Sequence, residues 1–209
     1  MSILNISALL HTAQHAIFRH VFKNVQIDTP RLILRPFTLD DIPAFHAILS
    51  QPEVMYYLPE GVMTLGEVRE IVEWYQMCYE KDTPENIIKW TLAVWLKSDG
   101  TPEQTEAHPE LIGWAGVGPL EFDESQIEIF YGLARHHWGR GYATEAARAV
   151  LDYAFGTIGI KRLVGIANPE NAASVKVLEK IGMTFEKKLV GLPEKFANDE
   201  GSYFYCKPV

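Results

Sequence analysis

Apolar residues in this chain recur with two periods, and the order in which those periods alternate predicts the architecture. Ile6, Leu9, Leu10, Ala13, Ile17 and Val21 recur near helical spacing, so residues 1–25 read as a helical extension ahead of a domain spanning 26–209. Pro30 to Pro36 reads as a short strand, its apolar centre Leu32 to Leu34 bounded by prolines. Asp40 and Asp41 are candidate caps for a helix through Ala44, Phe45, Ile48 and Leu49. Val68, Ile71, Val72 and Tyr75 share one face of a helix from Leu65 to about Tyr79. Trp90–Leu96, Leu111–Val117 and Ile127–Leu133 are strand candidates rich in aliphatic and aromatic residues. A polar connection with Pro102, Glu103, Glu106 and Pro109 separates the first two. The rhythm then alternates: helix Thr144–Ile158, strand Arg162–Ile166, helix Asn171–Ile181, and closing strands Phe185–Val190 and Ser202–Cys206. This order predicts an α/β (α+β) domain, a mixed central sheet with helices on both faces.

Composition narrows the class. At 209 residues, 47% hydrophobic and 22% charged, the chain suits one globular domain with a real core and argues against disorder. No apolar run approaches the roughly 20 residues of a membrane span. The first twenty residues, with His11, His15, Arg19 and His20, lack the apolar stretch and cleavage site of a secretory signal, so a cytoplasmic protein is expected. Cys78 and Cys206 are too few for a disulfide framework or a zinc site. The adjacent His136 and His137 lack helical i, i+4 spacing and a partner carboxylate, so no metal is expected. A net charge of -8 argues against nucleic-acid binding. It favours a cationic substrate mildly, although acidity also serves solubility alone.

The stretch richest in chemistry runs from Ile127 to Ala147 as strand, glycine loop and helix. Ala143, Ala147, Val150, Leu151, Ala154 and Ile158 form a buried stripe on that helix, with Glu145, Arg148 and Asp152 opposite. Glycines let backbone amides close on an anion, and a helix N-terminus adds unpaired N–H groups and the positive end of its dipole. A diphosphate suits such a place, with Arg140 as a charged contact. Gly139-Arg140-Gly141 alone is equally compatible with a plain strand-to-helix turn. Thr144 stands where a dinucleotide-binding fold has its third glycine, and no Gly-Lys-Ser/Thr P-loop is present.

The flanking residues add a resemblance. Trp138-Gly139-Arg140-Gly141-Tyr142-Ala143-Thr144-Glu145-Ala146-Ala147 resembles the acetyl-CoA-binding motif of the GNAT superfamily of N-acetyltransferases. Asn168 to Met183, with Asn171, Ser174 and a closing Glu179-Lys180-Ile181-Gly182, resembles its second motif. Thr29-Pro30-Arg31-Leu32-Ile33-Leu34-Arg35 is similar to the start of the branch that includes ribosomal-protein N-terminal acetyltransferases. The resemblance implies a mostly antiparallel sheet in which a splayed strand pair receives acetyl-CoA. It maps Leu133 and Ala134 to pantetheine contacts, His136 to Thr144 (His136, Trp138, Gly139, Arg140, Gly141, Tyr142, Ala143, Thr144) to the diphosphate loop, and Asn171 to a further cofactor contact. Two positions depart from the family pattern. His136 replaces the usual glutamine or arginine, and Leu178 stands where many members carry a tyrosine acid.

The expected reaction is acetyl transfer from acetyl-CoA to a primary amine, on a small molecule or a protein N-terminus, by direct attack with both substrates bound. An ammonium must lose a proton before it attacks, which calls for a base working near neutral pH. Glu128, on the strand that meets the cofactor, is the candidate, since desolvation there raises its pKa. A structural carboxylate paired with a cation is the competing role. Backbone N–H near Leu133 or Ala134 would meet charge on the carbonyl oxygen. Ser174 is the candidate donor to the leaving thiolate, with Tyr131 and Tyr142 as fallbacks; an ordinary serine early in a helix is its competing role. The acceptor cleft is expected near Tyr56–Val62 and Phe196–Tyr203. Trp90, Trp95 and Trp114 read as core residues and Trp138 as the anchor of the loop. The assembly expected is a monomer or homodimer. The alternative function is a non-catalytic acetyl-CoA-binding sensor or interaction module.

Overall fold

The computed structural model describes residues 21–98 and 109–209, and within them eight strands form a single sheet. These are β1 (Ile27–Asp28), β2 (Leu32–Pro36), β3 (Trp90–Leu96), β4 (Glu110–Leu120), β5 (Asp123–Leu133), β6 (Arg162–Ala167), β7 (Thr184–Lys188) and β8 (Tyr203–Pro208). Their lateral order is β1-β2-β3-β4-β5-β6-β8-β7. Every neighbouring pair is antiparallel except β5 and β6, which run parallel and meet in register at one pair, Glu128 opposite Val164. The helices are α1 (Ile42–Leu49), α2 (Pro52–Met55), α3 (Leu65–Lys81), α4 (Tyr142–Tyr153) and α5 (Ala172–Lys180). None of the described helices is long and apolar enough to cross a membrane.

Strand alternation and two tryptophans show how the layers stack. Trp114 lies opposite Ala93, and Trp90 sits three residues before Ala93, hence on the other face. Trp114 meets Phe45 of α1 with ring centroids 5.7 Å apart, whereas Trp90 stacks on Tyr153 of α4 at 5.2 Å. Helices therefore cover both faces, as the sequence pattern predicts. Gly132 makes room for Trp114: a Cβ there would lie 2.2 Å from the indole ring. Trp95 is only partly buried and lies beneath the Arg35 guanidinium at 4.7 Å. Phe22 and Val25 are buried in the same core, and the Trp90 indole N–H donates to the Phe22 carbonyl at 3.2 Å. The rest of the expected N-terminal helix, and most of the polar connection through Glu106, fall outside the described residues.

Local signals account for several boundaries. Thr64 and Glu67 exchange N–H contacts as a capping box at the start of α3, whose Val68, Val72, Tyr75 and Tyr79 are buried. Asp41 precedes α1 without capping it. Its carboxylate instead pairs both oxygens with Arg35 at 2.8 Å and accepts the Thr38 N–H. The helix expected over Thr144–Ile158 starts two residues earlier and widens into a π-type turn over Ala154–Ile158. Its buried face includes Ala146, while Ala143 is only partly covered. β5 outruns its expected length because the polar Asp123 to Gln126 hide the strand in the sequence pattern, and β4 runs on through Gly118, Pro119 and Leu120.

Candidate active site

The site begins where β5 and β6 part. The Ala134 N–H donates to the Ile112 carbonyl at 2.8 Å, which makes Ile112 and Ala134 a hydrogen-bonded pair of the β4–β5 ladder. Antiparallel ladders alternate bonded and non-bonded pairs, so the backbone groups of Leu133 and Tyr131 turn away from β4. On that side β6 has no register with β5 beyond Glu128–Val164. The Leu133 carbonyl accepts the Trp138 indole N–H at 2.7 Å, and the Leu133 N–H is directed into the gap. Ala134 is 1% exposed, and its carbonyl accepts the His137 N–H at 3.0 Å. With both backbone groups committed, Ala134 holds the turn.

The glycine loop follows. Gly139 and Gly141 have φ of 74° and 83°, left-handed values that favour glycine, and Gly141 precedes the first turn of α4. That turn leaves the amides of Tyr142, Ala143 and Thr144 without intrahelical acceptors. A Cβ on Gly139 would touch nothing within 4 Å, so the loop is open to a ligand. The exposed Arg140 adds a cation. These features fit a diphosphate group. Arg31 fixes the loop from β2's side. Its guanidinium pairs with Glu145 at 2.6 Å, donates to the Arg140 carbonyl at 3.0 Å and lies 4.5 Å from the Tyr142 ring centroid. Tyr142 thus packs beneath Arg31. Glu145, expected on the solvent-facing side of α4, accepts from the Arg31 N–H and the Thr29 hydroxyl instead.

A cavity of about 580 Å³ opens at the gap. Glu128 and Tyr131 are three residues apart on β5, so their side chains lie on opposite faces of the strand and flank the opening from both sides. Glu128 is partly buried and accepts the Ile166 N–H. Burial, reinforced by the negative charges of Asp199 and Glu121, pushes its pKa up to about 7, against the opposing pull of Lys89 and the Ile166 amide. Across the strand, the Tyr131 hydroxyl lies 3.1 Å from both the Ser174 hydroxyl and the Ser174 carbonyl. Burial raises the Tyr131 pKa, which keeps the phenol protonated as a donor. Asn171 caps α5 by accepting the Ser174 N–H at 3.1 Å, and both residues line the cavity. Leu178 is 1% exposed, packed over Gly165, where a Cβ would meet it at 2.7 Å. Segments near Tyr56–Glu60 and Asn198–Ser202 also border the cavity.

The fold brings Glu128, Ser174 and Asn171 to one cavity, while the buried Leu133 lies further along β5 toward the Gly139–Gly141 loop. Three features escaped sequence reasoning. Arg31 and Glu145 lie 114 residues apart, and only the quoted Pro30-Arg31-Leu32 stretch hinted at the first. Asp199 lies within the expected cleft segment Phe196–Tyr203, but its charge beside Glu128 and the short 3-10 turn that carries it, Glu194–Asp199, are announced by no period. Glu110, the first residue of β4, supplies the carboxylate that the sequence denies to the histidine pair: its Oε1 lies 3.2 Å from Nε2 of both His136 and His137.

Comparison with known proteins agrees with this geometry. The family model described as "Acetyltransferase (GNAT) domain" matches residues 31–184. YnaD of Bacillus subtilis strain 168, named as an uncharacterized N-acetyltransferase, is 32% identical over 162 residues, covering 78% of this chain and 84% of its own length. The crystal structure of a GNAT-family acetyltransferase from Bacillus anthracis is 29% identical with a TM-score of 0.66, covering 88% of this chain and 98% of that one. RimL, a ribosomal L7/L12 alpha-N-protein acetyltransferase solved in complex with coenzyme A, shares the fold at a TM-score of 0.68 with 17% identity, covering 88% and 98%.

Proposed function

Because this chain belongs to the GNAT acetyltransferase family and is an acetyl-CoA-dependent N-acetyltransferase, we propose that it acetylates a primary amine bound in the cavity between β5 and β6, with Glu128 as general base. The observation that carries this reading is the pair of groups flanking the gap: a carboxylate titrating near neutrality on one face of β5 and a hydroxyl pair on the other.

When bound, acetyl-CoA supplies the acyl thioester. The Gly139–Gly141 amides and the first turn of α4 would hold its diphosphate, with Arg140 beside it and Trp138 bracing the turn. The free edge of β5 at Tyr131 would pair with the amides of the pantetheine arm, and Asn171 borders the same channel. Glu128 takes a proton from the incoming ammonium, so the neutral amine can attack. The Leu133 N–H faces the charge that grows on the carbonyl oxygen. Tyr131, hydrogen-bonded to Ser174, would give its hydroxyl proton to the departing sulfur and regain one as the attacking nitrogen sheds its second proton through solvent. In this reading Tyr131, a fallback donor in the sequence, takes the role expected of Ser174, and Ser174 supports it.

The acceptor is a small-molecule amine or a protein N-terminus. Thiol release from acetyl-CoA, measured across amino acids, aliphatic amines and N-terminal peptides, tests the reading. Turnover with at least one amine, abolished by Glu128→Gln, is expected. Tight cofactor binding with no turnover for any amine would favour the non-catalytic module instead.

A further inference from the structure

His136 and His137 sit on a single 3-10 turn, Arg135–His137, and face Glu110 at the start of β4. We propose that His136, His137 and Glu110 form a binding site for a divalent transition-metal ion of the zinc class, tying β4 to the turn that carries the glycine loop. The donor atoms are two imidazole nitrogens and one carboxylate oxygen, all within 4.8 Å of one another. A tetrahedral ion with bonds of about 2.0–2.1 Å requires donor-to-donor edges of roughly 3.3–3.4 Å. Two edges are already close to that, each 3.2 Å from a histidine Nε2 to the shared Glu110 Oε1.

The third edge, between the two imidazoles, closes by rotation of His136, whose side chain is 62% exposed. His137 is fixed by comparison, with a side chain only 4% exposed. The site thus combines one preset ligand with two adjustable ones, and solvent reaches it to supply the fourth position. Nitrogen donors select the ion: zinc, nickel and copper accept imidazole, whereas calcium and magnesium demand oxygen sets. Trp138 follows directly after the turn and bonds the Leu133 carbonyl, so an ion here also fixes the segment between β5 and the loop.

The test is zinc titration of the tag-free full chain by calorimetry, paired with cobalt(II) absorption. One equivalent is expected to bind with Kd on the order of 10 µM, weaker than a four-ligand structural site. Glu110→Gln and His136→Gln each replace an exposed side chain, so folding is preserved, and each should weaken binding about tenfold or more. Cobalt should give the visible bands of a four-coordinate nitrogen and oxygen site. Absence of saturable binding below about 100 µM overturns the proposal, that being the range of casual surface contacts. Affinity unchanged in both variants overturns it too, as does a thiolate charge-transfer band, which would place the ion at a cysteine.

Discussion

Replacing Glu128 with Gln separates the cost of its charge from its use. Its pKa moves from an ordinary 4.5 to about 7. At about 1.4 kcal/mol per unit, that displacement corresponds to roughly 3 kcal/mol of unfavourable charge in the folded chain. The sign follows from proton counting. Between pH 4.5 and 7 the folded chain holds a proton that the unfolded chain releases, so stability falls as pH rises through that window. Glutamine carries no charge and keeps an oxygen for the Ile166 N–H. The variant should therefore match the parent near pH 5 and exceed it at pH 8 by about 2 kcal/mol, the partial exposure of the group reducing the full figure. Urea unfolding at both pH values reads this directly. The same substitution should lower kcat/KM by about 100-fold or more, the usual contribution of a general base. The parent's kcat/KM should rise about tenfold per pH unit below 7 and level off above it. A stability difference that stays constant from pH 5 to pH 8 would mean that the carboxylate carries no penalty and is not tuned. Turnover that survives in the variant would remove it from the chemistry.

Two further outcomes follow from contacts at the loop and across the gap. Arg31→Ala deletes the ion pair with Glu145 and the grip on the Arg140 carbonyl, so the KM for acetyl-CoA should rise about tenfold with kcat nearly unchanged. With Arg31 46% exposed, the loss of folding stability should be only about 1 kcal/mol, and Arg31→Lys should recover little because it cannot keep the fork. Tyr131→Phe should reduce kcat at saturating substrate by about tenfold or more, with Ser174→Ala milder. Single-turnover kinetics that rank Ser174→Ala as the more damaging would reassign the proton donor.

What could be read from the sequence was what depends on near neighbours. The glycine loop, the helix after it and the alternation of β3 to β5 follow from periods and turn residues within a dozen positions. Arg31 with Glu145 and Glu110 with the histidine pair were hidden because strand pairing, not spacing, brings them together. Glu145 shows the limit clearly. By helical phase it belongs to the outer face of α4, yet the β1–β2 turn closes over that face and provides the Arg31 and Thr29 partners. The two-residue β1 and four-residue α2 are too short to show a period at all. The insertion of β8 between β6 and β7 is a long-range choice, invisible to any local pattern.

The parting of β5 and β6 has a physical cause in what occupies the space between them. Parallel neighbours need a crossover on one face of the sheet, and α4 with its π-type turn is that crossover. Had the ladder continued past Glu128–Val164, β6 would have run beside Tyr131 and Leu133. Instead the chain leaves β6 at Ala167, turns so that the Asn171 N–H donates to the Asn168 carbonyl at 2.9 Å, and starts α5. Asn171 satisfies an amide of α5, and Ser174 takes the Tyr131 hydroxyl across the gap. These contacts replace part of the ladder, whose bonds are each worth about 1 kcal/mol net. At Leu133 the carbonyl accepts the Trp138 indole N–H, and its N–H is not replaced in this way. An open edge of this kind raises the free energy of the unliganded chain and is relieved by an extended, amide-bearing arm. The same defect in the sheet therefore offers an edge to such an arm and leaves Glu128 and Tyr131 on opposite faces of β5, both lining the cavity.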